Sequence, residues 1–308
     1  MSLFRSPVLL ALVWLTLVSG CARLPGPGVT SLKPASLGEL QGYLLSHKAD
    51  VDQFRLRGPF EATIQKDREI RVSDTERFVA DWYSFTPAAS APLVILLHGH
   101  DNTKEDHAYQ ALHLATWGIH CLALQLPNQG PWVANGRNLA KIVQAIVSRP
   151  DMIDARIDAK KIILAGHSYG AAAVTIALAE GAPALGGVLL DPAGVAKELT
   201  KFLRQLDRPV MVIAADDKIV RVRGRDLFYE LVRAGIVEVS VRDAHHDDGE
   251  FPLEPAPDSS ATEEHQVTFV SVLTSAAFSL GVTGKLDYAW TSLVDAIKNG
   301  KLFDALRK

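Results

Sequence analysis

The sequence predicts an α/β fold, a mostly parallel sheet covered by helices, and three observations carry that reading. From Leu93 onward, short apolar runs alternate with segments of helix-forming character, at the spacing of right-handed crossover units. Leu93 to Leu97 is apolar throughout, as strands buried on both faces are. Ile162 to Ala165 runs into Gly166-His167-Ser168-Tyr169-Gly170 and then an alanine-rich segment, the pattern of a strand turning sharply into a helix.

Taken in order, the chain opens with Arg5, an apolar run from Val8 to Val18 and the small residues Ser19-Gly20 before Cys21. These are the basic, apolar and small-residue zones of a secretory signal, and the run is shorter than the ~20 residues a membrane span needs. Ala22 to Pro34 is rich in proline and glycine without periodicity, so it reads as a tether. Ser36 with Glu39 forms a capping-box pattern that starts a short helix through Leu45. Phe60–Val72 and Phe78–Phe85 have the β-rich character of antiparallel strands at a sheet edge.

The alternation then follows. Strands are expected at Leu93–Leu97, Ile119–Leu124, Lys161–Ala165, Gly187–Leu190, Val210–Ala214 and Val237–Val241. Helices are expected at Tyr109–Trp117, Asn138–Val147, the segment after Ser168, Val195–Leu206 and Arg225–Ala234, with two more near Glu263–Leu280 and Lys285–Lys298. Residues 1–21 therefore read as a signal, 22–50 as tether and short helix, and 51–308 as one domain, without internal repeats or a second domain. The connection between Asp191 and Pro209 is short, which leaves no room for a lid and implies an open site.

A chain of 308 residues with 48% hydrophobic residues is long enough for one large core, and a net charge of -3 gives no electrostatic case for nucleic acid. Val18-Ser19-Gly20-Cys21 resembles the lipobox of bacterial lipoprotein signals. That resemblance implies acylation of Cys21, a membrane partner through the lipid, and, with Ala22 rather than Asp next, residence in the outer membrane facing the periplasm. Cys121, in the apolar run Ile119 to Leu124, is then the only other cysteine and reads as a buried, inert thiol.

The chemistry begins at Ser168. Glycines on both sides allow the abrupt turn, and the following helix aims its free N–H groups and positive dipole end at charge formed near the serine. A serine needs a base, and the base needs a carboxylate to fix its tautomer, so both are sought beyond the ends of later strands. Asp217 follows the strand Val210–Ala214, with Asp216 and Asp191 as alternatives. His245 follows Val237–Val241, with His246 as its alternative. The expected order is nucleophile Ser168, acid Asp217, base His245.

These residues, with Leu97-His98-Gly99-His100, resemble the alpha/beta-hydrolase superfamily over roughly 60–280, nearest to capless serine esterases of the dienelactone-hydrolase, cutinase-like and chlorophyllase-like groups. The resemblance implies a mostly parallel sheet of about eight strands with helices on both faces and no large cap domain. It also implies an oxyanion hole formed by the backbone N–H groups of Tyr169 and His100. The activity implied is hydrolysis of carboxylic esters through an acyl-enzyme, without a cofactor. An acyltransferase with the same triad and a non-catalytic envelope lipoprotein are the competing classes.

His98 reads as a residue that shapes its loop, Trp132 as one near the edge of the site, and Asp247 to Glu264 as a solvated loop. No metal is expected, since Asn102 and Thr103 interrupt the His-x-His-x-Asp-His pattern that His98-Gly99-His100 would start.

Overall fold

The computed structural model describes residues 26–127, 132–193, 196–216, 226–254 and 259–308. Nine strands form one sheet in the order β1-β2-β4-β3-β5-β6-β7-β8-β9. The strands are β1 (Glu61–Arg71), β2 (Arg77–Thr86), β3 (Ala91–Leu97), β4 (His120–Leu124), β5 (Ile157–His167), β6 (Gly187–Leu190), β7 (Val210–Ala214), β8 (Ile236–Val241) and β9 (Leu302–Arg307). β3 to β8 run parallel to one another, while β1 and β2 form an antiparallel pair at one edge, with β2 antiparallel to β4, and β9 pairs antiparallel with β8 at the other.

The ninth strand goes beyond the sequence expectation. Its residues, Leu-Phe-Asp-Ala-Leu-Arg, are mostly exposed and lack the β-branched run that marks the central strands.

Helices cover both faces. α1 (Leu37–Ser46), α2 (Ala108–Thr116) and α7 (Glu263–Phe278) pack on one side, and α3 (Trp132–Ser148), α4 (Tyr169–Ala179), α5 (Ala196–Gln205) and α6 (Asp226–Leu231) on the other. Two short helices, α8 (Asp287–Ser292) and α9 (Val294–Lys298), lead into β9. The run Leu93 to Leu97 shows why central strands are apolar throughout: Val94 and Leu96 enter one core, and Leu93, Ile95 and Leu97 the other.

The α7 segment and its continuation, Glu263–Thr283, have the length and apolarity of a membrane span, yet 89% of that window lies buried inside the fold. It is the central helix of its layer. Cys121 is fully buried in β4, where desolvation pushes its thiol well up, as an inert thiol requires.

At the β1–β2 edge, the Lys104 ammonium is buried among three carboxylates. It lies 3.0 Å from both Asp81 and Asp67 and also contacts Glu105. Asp81 is fully buried, so this cation is the condition for its charge.

Among the described residues, the connection between β6 and β7 holds only α5, so no cap covers the carboxyl edge of the sheet. That edge gathers the residues that follow β3, β5, β6, β7 and β8.

Candidate active site

β5 ends at His167 and α4 begins at Tyr169, leaving Ser168 alone at the corner with φ 53° and ψ -118°. Such a conformation costs a non-glycine residue about 1–3 kcal/mol and holds only where the surroundings enforce it. They do so through close approach. A Cβ on Gly166 would lie 2.6 Å from the Gly170 backbone, and one on Gly170 would lie 2.5 Å from the His98 carbonyl oxygen. The glycines are thus required by backbone contact, and Ser168 is left 6% exposed at the sheet edge.

The loop after β3 lies against it. A Cβ on Gly99 would sit 3.1 Å from the Ser168 Cβ. His98 fixes this loop: its Nδ1 donates to the Gly99 carbonyl at 2.8 Å, and its Nε2 accepts from the Leu126 N–H at 3.0 Å. Burial lowers the pKa of His98, in keeping with a neutral ring that shapes the loop. The rings of His100 and Trp132 stand 5.3 Å and 5.1 Å from that of Tyr169, forming an aromatic rim beside the serine.

The acid and base emerge from the neighbouring strands. Asp191, immediately after β6, is 1% exposed and adopts a left-handed φ of 35°. Its Oδ1 accepts the Ala215 N–H at 3.0 Å, and its Oδ2 meets His246 Nδ1 at 2.5 Å. Burial opposes charge on the His246 ring, but the bond to Asp191 and its charge outweigh burial and raise the pKa. β5 and β6 are adjacent, and the Ser168 N–H donates to the Leu190 carbonyl at 3.0 Å, so the serine and this carboxylate are joined through one backbone ladder.

This arrangement differs from the expected one, in which His245 faces the acid. The ring that meets a buried carboxylate is that of His246, whereas His245 is exposed in an open depression with Asp216, Asp243 and Ala244. Among the described residues no carboxylate pairs with the His245 ring. The reason is local: Asp243 takes a left-handed φ of 57°, Ala244 turns into the core, and the next inward-facing side chain is His246.

Asp217, the expected acid, and Cys21 lie outside the described residues. Asp216 is engaged elsewhere, accepting the Asp243 N–H at 3.1 Å.

A family model for the alpha/beta hydrolase family matches residues 94–296, which span the elbow, the carboxylate and the histidine. The chain belongs to the alpha/beta hydrolase family. No curated protein matches it.

One feature of this hydrolase has no counterpart in the sequence reading. Asp247 to Glu264 was expected to be a solvated loop, but its first residues form a buried turn. Asp248 and Gly249 are buried, and Glu250 comes within 2.9 Å of His167 behind the elbow. Desolvation pushes the Glu250 carboxyl up to about 7 and holds His107 and His167 down to about 4 and about 3. The buried Phe251 beside Glu250 was the available signal that this stretch turns inward.

Proposed function

We propose that the protein is a serine hydrolase acting on carboxylic esters, with Ser168 as nucleophile, His246 as base and Asp191 as the orienting acid. The observation that carries this reading is the 2.5 Å bond between His246 Nδ1 and Asp191 Oδ2, with the His246 ring 4.4 Å from that of His167, the residue before the serine at the enforced corner. With Nδ1 bound to the carboxylate, Nε2 is the atom that takes the hydroxyl proton and returns it to the leaving alcohol. The N–H groups of Tyr169 and His100 receive the oxyanion, supported by the N-terminus of α4. Water then attacks the acyl-enzyme by the same route. Membrane attachment through an acylated Cys21 in the cell envelope belongs to the same proposal; palmitate labelling of the full chain, lost in Cys21→Ser, tests it.

The catalytic test uses the full chain in detergent with p-nitrophenyl acetate, butyrate and a long-chain ester. Ser168→Ala and His246→Ala are expected to abolish turnover, while His245→Ala retains it; loss with His245→Ala alone would restore the other base. Products formed with added alcohol acceptors separate hydrolysis from acyl transfer. No turnover, together with no fluorophosphonate labelling of Ser168, would overturn the reading in favour of a binding protein that keeps the fold.

A further inference from the structure

Behind the elbow, two buried histidines and the largely buried Glu250 present lone pairs to one another. His167 Nε2 lies 3.0 Å from the His246 carbonyl oxygen, so that nitrogen carries the proton and Nδ1 is bare. His107 Nδ1 is bonded to Gln110 Oε1, an orientation fixed by the Gln110 amide, which donates to the Gly249 carbonyl at 3.0 Å. His107 Nε2 is therefore also bare, and it has no hydrogen-bond partner although the residue is fully buried. The third group is Glu250, whose Oε1 stands 2.9 Å from His167 Nδ1 and accepts from Asn102. One ligand atom from each of His107, His167 and Glu250 falls within 4.8 Å of the others.

Acceptors facing one another at this distance require a cation between them. A proton on Glu250 bridges it to His167 but leaves His107 Nε2 orphaned, at a desolvation cost of about 1–3 kcal/mol. Among the described residues no lysine or arginine pairs with Glu250. A metal ion satisfies all three atoms at once. The outward N–H of each imidazole is already held by a carbonyl oxygen, the arrangement that fixes ring orientation in metal-binding histidines.

We propose that His107, His167 and Glu250 form a binding site for a divalent transition metal of the zinc class. Two imidazole nitrogens and one carboxylate oxygen suit Zn²⁺, with a fourth position for water. The ligands come from three separate segments: the turn before α2, the last residue of β5, and the turn carrying His246. A bound ion ties the elbow to the loop that carries His246. This inference does not rest on the hydrolase reading, because its test reads metal binding and not turnover.

The experiment uses the full chain in detergent, stripped with chelator and dialysed against Zn²⁺ or Co²⁺. Wild type is expected to bind one ion per chain, to show the visible d–d bands of low-coordinate Co²⁺, and to gain thermal stability with Zn²⁺ concentration. Glu250→Gln, close in shape and checked for folding by circular dichroism, is expected to lose the site, as is His107→Gln; His245→Ala, outside the cluster, keeps it. Uptake of no ion by folded wild type, or uptake by Glu250→Gln equal to wild type, would overturn the proposal.

Discussion

Replacing Asp191 with asparagine tests one of the three acids that the sequence left in competition. The side chain is 1% exposed, and asparagine fits the same space. The Ala215 N–H at 3.0 Å requires an acceptor, so the amide oxygen takes the place of Oδ1 and the NH₂ group faces His246. An NH₂ group there donates to Nδ1, which forces the ring proton onto Nε2, where it blocks uptake of the serine proton. The expected loss in kcat is about 10⁴-fold, the scale set by a wrong imidazole tautomer in serine hydrolysis. At about 1.36 kcal/mol per decade this is about 5.4 kcal/mol of barrier. Stability falls by much less, about 1.5–3 kcal/mol for one charge-assisted hydrogen bond. The assay is kcat for p-nitrophenyl butyrate with Asp191→Asn, Asp216→Asn and Asp217→Asn side by side, each checked for a native spectrum. Asp191→Asn within about tenfold of wild type, with Asp217→Asn inactive, would refute the assignment and return the acid to the strand after β6.

Two further outcomes follow from packing. Gly170→Ala brings a Cβ to 2.5 Å from the His98 carbonyl and 2.7 Å from that of Leu97, atoms that no rotamer change can move. Thermal unfolding is expected at lower temperature, by about 1–3 kcal/mol of stability, with kcat reduced as the elbow shifts. Lys104→Met removes the cation 3.0 Å from the fully buried Asp81 and is expected to cost about 3–5 kcal/mol in urea unfolding. Adding Asp81→Asn should recover part of that loss, and a Lys104→Met chain as stable as wild type would show the network to be idle.

The elbow around Ser168 was legible because its constraints are local. Close backbone approach at Gly166 and Gly170 demands glycine, and the sequence prints it. The positions of the central strands along the chain were legible for a similar reason, since Leu93 to Leu97 must satisfy two cores and is apolar at every position. Acid and base were not, because each depends on the sign of one backbone angle. Asp191 and Asp217 both follow apolar runs in the sequence, and residue type does not announce the left-handed turn at Asp191, whose carboxylate meets His246. His245 and His246 differ by one position, and the left-handed Asp243 decides which faces inward. Glu250 was hidden for another reason: a charged residue in an acidic, proline-rich stretch reads as solvated until its distant partners, His107 and His167, are placed.

Placing the acid on β6 changes which part of the proposed triad must be held most carefully. Ser168 and Asp191 directly follow the paired strands β5 and β6, and the Ala193 N–H returns to the Ser168 carbonyl at 3.2 Å, so their separation is set by the sheet itself. His246 has no such support, because it sits in a short turn beyond β8. That turn is secured by Asp248, which is fully buried and accepts the N–H groups of His245 and Thr262, both at 2.7 Å, while pairing with His265 at 3.1 Å. Asp248 therefore joins the base-bearing turn to the start of α7, and His167, through the His246 carbonyl, joins it to the elbow. The proposed base is thus positioned from two sides, by Asp248 and by His167. This gives the buried polar residues Asp248 and His167 a reason to lie where the sheet alone cannot fix the distance.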